Sequence, residues 1–114
     1  MDPHPQQGVL VAFRSRLRHP DDAEYADLAP RMVELASGMP GFVSFEQFAS
    51  ADGGRVSLIV FETHDDVAAW RRHPEHVEAR RLGRERFYAE FELTVCTIVR
   101  TYGSRTRGTR DSGP

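Results

Sequence analysis

Apolar residues come first as an unbroken run and then as a periodic stripe. The run is Gly8-Val9-Leu10-Val11-Ala12-Phe13, and apolar residues at successive positions are typical of a strand buried on both faces. Between residues 25 and 39 they recur at three- and four-residue steps, which predicts an amphipathic helix. Residues 19–22 carry helix-start chemistry and Gly38 marks the end. Pro30 lies inside the pattern, and we expect it to kink or split the helix.

Two strands, a second helix and a last strand follow. The strands are predicted at residues 42–49 and 55–62, joined through Asp-Gly-Gly, a good hairpin signal. Thr63 and Asp66 resemble a capping box that starts the second helix. Pro74 is expected to divide that helix, with His73 near the new N-terminus and the second part reaching about Tyr88. A β-branched stretch over residues 91–102 predicts the last strand.

The element order β-α-β-β-α-β predicts an α+β, ferredoxin-like fold. Its simplest closed form is a four-stranded antiparallel sheet with both helices on one face. Val56, Leu58 and Val60 point to one side of the third predicted strand, and Ile59 and Phe61 point to the other. Because both faces of the sheet are apolar, the helices cannot cover everything. We therefore expect a homodimer in which two sheets pack face to face.

Length and composition limit the remaining possibilities. The chain has 114 residues with 39% hydrophobic content, which fits one domain. We place this domain at residues 8–102, between a flexible N-terminus (1–7) and a disordered, polar tail (103–114). A net charge of −2 favours neither nucleic acid nor an anionic membrane as a partner.

Cysteine usage and targeting signals point to the cytoplasm. The sequence shows no secretory signal and no membrane-spanning run. Cys96 is the only cysteine, which excludes an internal disulfide and a cysteine zinc site, and no histidine set has zinc-site spacing, so we expect no metal. The position of Cys96 on a strand predicts an inert, buried thiol. A reduced, cytoplasmic protein is the expectation.

The arginines of the second helix are interspersed with glutamates. Arg71 with Glu75 and Arg81 with Glu85 fall at the four-residue spacing of ion pairs. This pattern is typical of a solvated, salt-bridged face. The exception is Arg80, which lies one helical turn after His76 and therefore on its side of the helix.

One stripe of this helix carries residues suited to a ligand pocket. An imidazole with a pKa near 6.5 serves as a general base near neutrality or as a metal ligand, and Arg80 can hold an anionic oxygen. The structural alternatives are that Trp70 is core, that His73 caps a helix segment and that His76 is solvated. The candidate wall is His76, Arg80, Gly83 and Phe87, with Trp70 and His73 at its entry end and Arg14 and Tyr25 as weaker additions.

Three segments resemble the antibiotic biosynthesis monooxygenase family. They are Pro40-Gly41-Phe42-Val43-Ser44-Phe45-Glu46-Gln47-Phe48, the strand ending Phe61-Glu62, and Ala69-Trp70-Arg71-Arg72-His73-Pro74-Glu75-His76, with a final Val99-Arg100-Thr101-Tyr102. The resemblance covers residues 9–102 and implies a dimeric α+β barrel. It also implies one of several activities: cofactor-free oxygenation of polyketide-type phenols and anthrones, haem degradation or quinol oxidation.

The haem-degrading branch of this family is matched only in part. Its members use an asparagine on the first strand, a tryptophan on the second helix and an axial histidine ten residues after that tryptophan. Trp70 matches, but Arg80 stands at the histidine position, Arg14 lies near the first-strand position, and the chain contains no asparagine. His76 is the remaining candidate for an iron ligand.

Three functions stay open from the sequence. The first is a cofactor-independent monooxygenase acting on a small aromatic or polyketide-like substrate with dioxygen. As the resemblance implies, a substrate proton would be removed to give a delocalised carbanion that reacts directly with dioxygen. We expect His76 to be the base, Arg80 the oxyanion stabiliser, and Trp70 with Phe87 an aromatic wall, with His73 as a further catalytic candidate. The second is a haem-binding protein of the same fold. The third is a non-catalytic dimeric binding module.

Overall fold

Strands and helices follow one another in the predicted order β-α-β-β-α-β, with the second helix in two parts. A computed structural model describes residues 8–104. The predictions for residues 1–7 and for the tail from 105 onward lie outside the described residues. The elements are β1 (Val9–Leu17), α1 (Ala23–Ser37), β2 (Phe42–Ala49), β3 (Gly54–Phe61), α2 (His64–Arg72), α3 (Pro74–Leu82), a π-helical turn (Gly83–Phe87) and β4 (Tyr88–Thr97).

The four strands form one antiparallel sheet in the order β2-β3-β1-β4. Val9 pairs with Phe61 and Val11 with Ile59, so these apolar residues share the face that the helices cover. The predicted ferredoxin-like α+β fold is thereby confirmed. The core on this helix-covered face consists of Val9, Val11, Ala36, Ile59, Phe61, Val67 and Trp70.

Local side-chain chemistry sets the helix starts. The carboxylate of Asp22 accepts a hydrogen bond from the Tyr25 amide at the start of α1. The hydroxyl of Thr63 accepts from the Asp66 amide at the start of α2, as the capping-box pattern predicts. Pro74 separates α2 from α3. His73, the residue before it, is extended with ψ 127°, the conformation that a following proline favours.

Two sequence expectations differ from the structure. α1 runs from Ala23 to Ser37 without a break at Pro30. Pro30 and Ala26 are both exposed, so water can satisfy the carbonyl that the proline leaves without a donor. β4 was expected over residues 91–102 but begins at Tyr88 and ends at Thr97, since β1, its pairing partner, begins at Val9 opposite Thr97.

The face of the sheet away from the helices, called here the open face, has two different halves. Leu10 pairs with Val60, and Ala12 pairs with Leu58, which makes one half apolar. The other half is charged, because Arg14 pairs with Glu92 and Arg16 with Glu90. The expectation of an apolar open face is therefore wrong for this second half.

Cys96 belongs to the open face and is exposed. The expectation of a buried thiol is wrong because β4 is an edge strand, and nothing in the described chain covers its open side. Among residues 8–104, none of the helices has the length and apolar character needed to cross a membrane.

Candidate functional site

The break at Pro74 brings Trp70 and His76 together at the corner between α2 and α3. Their rings stack with centroids 4.1 Å apart and an interplanar angle of 13°. Trp70 is only 7% exposed and belongs to the core, so one part of the indole packs inside the protein and another supports the imidazole. Stacking on a buried ring restricts the orientation of His76.

A hydrogen bond defines which nitrogen of His76 carries the proton. Nδ1 of His76 lies 3.0 Å from the carbonyl oxygen of Trp70. A carbonyl oxygen only accepts hydrogen bonds, so Nδ1 is the donor. In the neutral ring, Nε2 then carries the free lone pair. The corner therefore holds an imidazole with a defined basic atom.

The protonated form of His76 is disfavoured in the folded protein. Burial lowers the pKa of His76 to about 4, because a buried imidazolium loses its hydration. The nearby positive charges of Arg80 and Arg71 lower this pKa further, whereas the hydrogen bond to Trp70 raises it. At neutral pH the ring is uncharged, which is the form that can accept a proton.

Arg80 lies one helical turn after His76 and is held against α2. Its Nη2 donates to the carbonyl of Arg71 across 3.0 Å. Its Nε is buried and finds no hydrogen-bond partner among the described residues. Burial lowers the pKa of Arg80, and the charges of Arg71 and Arg84 lower it further. The guanidinium thus sits among like charges with one donor unused.

His73 makes the contact that the structural alternative predicts. Its Nδ1 accepts a hydrogen bond of 3.1 Å from the Glu75 amide and so caps α3. Its ring centroid lies 5.9 Å from that of Trp70. His73 is therefore next to the stacked pair, but one of its nitrogens is engaged by the backbone.

One turn further along the chain are Gly83 and Phe87, and Phe87 packs against Tyr25 of α1. Phe87 is 2% exposed, and its ring centroid lies 5.6 Å from that of Tyr25. A Cβ at Gly83 would stand 2.6 Å from Cε2 of Tyr88, so the glycine lets this ring pack closely against the π-helical turn. Burial raises the pKa of the Tyr88 hydroxyl, and the neighbouring Tyr25 raises it further.

Arg14 lies away from the other candidates. It is on the open face, with an exposed side chain paired to Glu92 across 3.5 Å, whereas His76 and Trp70 are on the helix-covered side. Arg14 borders an open concavity of about 690 Å³ at the charged half of the open face. This concavity does not include any of the α2 or α3 candidates.

Sequence reasoning missed two features on the helix-covered side. The guanidinium of Arg55 lies 5.4 Å from the Tyr25 ring centroid, its Nη2 donates to Gln47, and its Nε is buried without a partner in the described chain. The even spacing of Arg55 with Ile59 and Phe61 on β3 is the signal that could have found it. The second feature is an uncovered apolar row on β4, formed by Phe91, Leu93 and Val95 at 48%, 41% and 43% exposure.

The β4 row lies beside the core, on the side where the helices pack. Val95 pairs with Val11, and Val11 belongs to the same core cluster as Trp70. His64, the first residue of α2, lies 2.8 Å from the hydroxyl of Thr97 through its Nε2. The helices therefore touch one end of the β4 helix-side surface and leave its middle accessible to an apolar ligand.

The residues of this corner do not form a metal site by themselves. Within residues 8–104, no cluster of three or more histidine, cysteine, aspartate or glutamate side chains is placed to hold a metal ion. His76 offers a single free nitrogen, and its nearest charged neighbours are arginines.

Comparison with known proteins decides the family. A model described as antibiotic biosynthesis monooxygenase matches residues 8–82, which include the whole corner from Trp70 to Arg80. The chain belongs to the antibiotic biosynthesis monooxygenase family. Within the curated proteins, it is 30% identical over 96 residues to the uncharacterised protein YqjZ of Bacillus subtilis, covering 84% of each chain.

Solved structures of similar fold include a protein that is described as an oxygenase. SnoaB of Streptomyces nogalater, described as a cofactor-independent oxygenase, superposes with a TM-score of 0.70 at 20% identity, over 83% of this chain and 96% of SnoaB. Rv0793 of Mycobacterium tuberculosis gives a TM-score of 0.74 at 20% identity, over 84% of this chain and 99% of Rv0793. At such identities the likeness concerns the fold.

Proposed function

We propose that this family member is a small monooxygenase that oxygenates an aromatic, polyketide-like substrate with dioxygen and without a cofactor. The observation that carries the proposal is the state of His76. It is a neutral imidazole with its proton on Nδ1 and its lone pair on Nε2, and Arg80 lies one helical turn away. A general base and an oxyanion stabiliser are the two groups that this chemistry needs from a protein.

With an anthrone as substrate, Nε2 of His76 takes a proton from the CH₂ carbon, and the electron pair of the broken C–H bond delocalises onto the carbonyl oxygen. The resulting carbanion is oxidised by dioxygen, and a C–O bond forms. The proton returns to give a hydroperoxide, from which loss of the second C–H proton and cleavage of the O–O bond release water and leave a quinone. One dioxygen is reduced for each substrate molecule, and no external reductant is consumed.

The low pKa of His76 makes Arg80 necessary to this scheme. A base with a pKa of about 4 removes a proton from a weak carbon acid only if the resulting anion is stabilised. A guanidinium beside the developing enolate oxygen supplies that stabilisation. The enolate in turn favours the imidazolium electrostatically, which raises the pKa of His76 as the proton moves.

Apolar and aromatic residues provide a suitable surface for the substrate. The uncovered β4 row offers Phe91, Leu93 and Val95 on the helix side of the sheet. The Trp70 ring stacks on the His76 ring, and the Phe87 ring packs edge to face against Tyr25 of α1. In SnoaB the same fold belongs to a cofactor-independent oxygenase, which supports this activity for the present chain.

We further propose that the protein works as a homodimer through the apolar half of the open face. Leu10, Ala12, Leu58 and Val60 stand together there, paired across β1 and β3. Covering an apolar patch of this kind contributes roughly 25 cal/mol per Å² of area removed from water. Face-to-face packing of two sheets leaves the corner of α2 and α3 on the outside of each subunit.

Oxygen uptake tests the activity directly. The purified protein is mixed with an anthrone in an oxygen-electrode cell containing a metal chelator, and the quinone is followed by absorbance. We expect protein-dependent uptake of one dioxygen per quinone formed, unchanged by the chelator. Uptake no faster than the uncatalysed reaction across a panel of anthrones and hydroxynaphthalenes would contradict the proposal.

Haem binding is the second candidate, favoured by the hydrogen bond of His76. Metal-ligating histidines commonly donate their other ring nitrogen to a carbonyl, as Nδ1 does to Trp70. His76 would hold the iron through Nε2, and haem would supply the redox chemistry. The residues do not fit haem degradation of the family type, because Arg80 occupies the place of the axial histidine. A saturable, sharpened Soret band that is lost in His76→Ala would support haem binding.

A non-catalytic dimeric module is the third candidate from the sequence. For such a module we expect no oxygen uptake and no haem spectrum, and we expect the protein to be a dimer. The two experiments above therefore separate all three functions.

A further inference from the structure

Three arginines around the α2–α3 corner lack the ion pair that five other arginines of the described chain form. Arg14, Arg16, Arg31, Arg81 and Arg86 each form an ion pair with a carboxylate. Arg71, Arg80 and Arg84 have no carboxylate within ion-pair distance among residues 8–104. We call these three residues the arginine cluster.

The members of the cluster are close enough to affect one another. Arg71 and Arg84 both lower the pKa of Arg80, and Arg80 and Arg71 both lower that of His76. A physical link exists as well, because Arg80 donates to the carbonyl of Arg71. Like charges four residues apart on a helix, such as Arg80 and Arg84, repel each other and destabilise it by a few tenths of a kcal/mol.

The cluster lacks a carboxylate because of the break at Pro74. Arg71 and Glu75 have the spacing of an ion pair, but they lie on different helices, since α2 ends at Arg72 and α3 begins at Pro74. Glu75 instead pairs with Arg31 of α1 at 3.0 Å. The expected Arg71–Glu75 pair is therefore absent, and the positive charge beside His76 is not compensated.

We propose that the arginine cluster binds a carboxylate group of the substrate, so that the substrate class is a planar aromatic carboxylate. This inference rests on the proposed function of the corner. A carboxylate approaching the end of the Arg80 guanidinium would accept from its two terminal nitrogens, a bidentate geometry that arginine favours. Arg71 and Arg84 add electrostatic attraction and lie on either side of it in sequence.

The contact between Arg80 and α2 does not account for the cluster. A single hydrogen bond from Nη2 to the Arg71 carbonyl satisfies the carboxyl end of α2. It leaves the buried Nε without a partner, which is a costly arrangement for a charged group. It also gives no reason for Arg84 to be there. A substrate carboxylate accounts for the position of Arg84 close to Arg80.

Matched ligands test the proposal by binding alone. Isothermal titration calorimetry compares naphthalene-2-carboxylate with naphthalene-2-carboxamide, which have the same ring and differ in charge. We expect the wild-type protein to bind the carboxylate at least about tenfold more tightly, and a preference that shrinks as salt is raised. Arg80→Gln should reduce the preference to near unity, and Arg81→Gln should leave it unchanged because Arg81 already pairs with Glu78 and Glu85.

A second variant keeps the test independent of the helix contact. Arg71→Gln with Arg84→Gln changes two exposed side chains and leaves the Arg71 carbonyl in place, and we expect it to lower the preference at least about threefold by removing two nearby charges. Equal affinity for the two probes, no binding of either at millimolar concentration, or a preference that survives in both variants would overturn the carboxylate site. Oxygen uptake by the wild-type protein with an uncharged anthrone reports separately on the proposed function, since that substrate has no carboxylate for the cluster to bind.

Discussion

Trp70 holds His76 twice, by its ring and by its backbone. The indole stacks on the imidazole at 4.1 Å, and the Trp70 carbonyl accepts the Nδ1 proton across 3.0 Å. They are six positions apart in sequence, and the break at Pro74 lies between them. The consequence is a neutral imidazole whose Nε2 lone pair has a defined direction.

The pH dependence of turnover should reflect the lowered pKa of His76. A base must be unprotonated to act, so activity is retained above its pKa and lost below it. With a pKa of about 4, kcat/KM for anthrone oxidation should stay level from pH 8 to about pH 5 and fall below that. The pH profile of initial oxygen uptake measures this, and a half-loss near pH 6.5, the value of an exposed histidine, would contradict it.

The free energy of unfolding should also depend on pH because of the lowered pKa of His76. Between about pH 6.5 and about pH 4 the unfolded chain binds a proton at His76 that the folded chain does not, so the free energy of unfolding falls as pH falls. The effect is at most about 1.4 kcal/mol per pH unit. Urea unfolding of wild type and His76→Gln isolates it, because the variant should show a weaker dependence in that window. Parallel curves for the two proteins would exclude a buried neutral His76.

Gly83 should be intolerant of a methyl group. Its backbone is ordinary helix, with φ −59°, so alanine would gain up to about 1 kcal/mol in helix propensity. The added Cβ would however stand 2.6 Å from the ring of Tyr88, and moving a packed ring costs about 1–3 kcal/mol. We expect Gly83→Ala to be destabilised by up to about 2 kcal/mol, measured by thermal or urea unfolding.

Gly38→Ala is the matched control for this change. A Cβ at Gly38 would meet only the Leu35 and Glu34 carbonyl oxygens, at 3.7 and 3.9 Å, which are ordinary contact distances. It should be closer to wild type in stability than Gly83→Ala. The reverse order would show that the close packing of Tyr88 on the π-helical turn is not important.

A charge in the apolar half of the open face should break the proposed dimer. Leu58 lies opposite Ala12 in the middle of that half, and burying an unpaired guanidinium there costs several kcal/mol. Leu58→Arg should therefore change the light-scattering mass from dimer to monomer at micromolar concentration. Val77→Arg, on the exposed side of α3, should stay dimeric. A wild-type monomer would contradict the dimer outright.

The topology could be predicted from the sequence because its signals are local. Alternating apolar residues on β3, the Asp22 and Thr63 caps and the proline at the start of α3 each act within a few residues. The same locality explains why the stripe of His76, Arg80, Gly83 and Phe87 could be listed in advance. Gly83 and Phe87 are buried and His76 and Arg80 are half-buried, whereas most of their neighbours on the same segment are exposed.

What the sequence could not provide depends on contacts between distant elements. The exposure of Cys96 follows from the place of β4 at the sheet edge, which pairing decides. The Arg71–Glu75 pair is absent because the two residues lie on different helices, and Glu75 pairs instead with Arg31, which is 44 positions away. The placement of Arg14 on the open face depends on which side the helices pack. The stack of Trp70 on His76 spans a helix break, where helical spacing no longer applies.

The most direct test of the account is oxygen uptake by His76→Gln, compared with His19→Gln, at pH 7 with an anthrone. His19 is an exposed histidine at the start of the loop before α1, so its variant controls for loss of an imidazole as such. If His76 is the base, its variant should lose turnover by about 10²- to 10⁴-fold while keeping its fold and its dimer, and His19→Gln should match wild type. Full turnover by a folded His76→Gln would contradict the central claim.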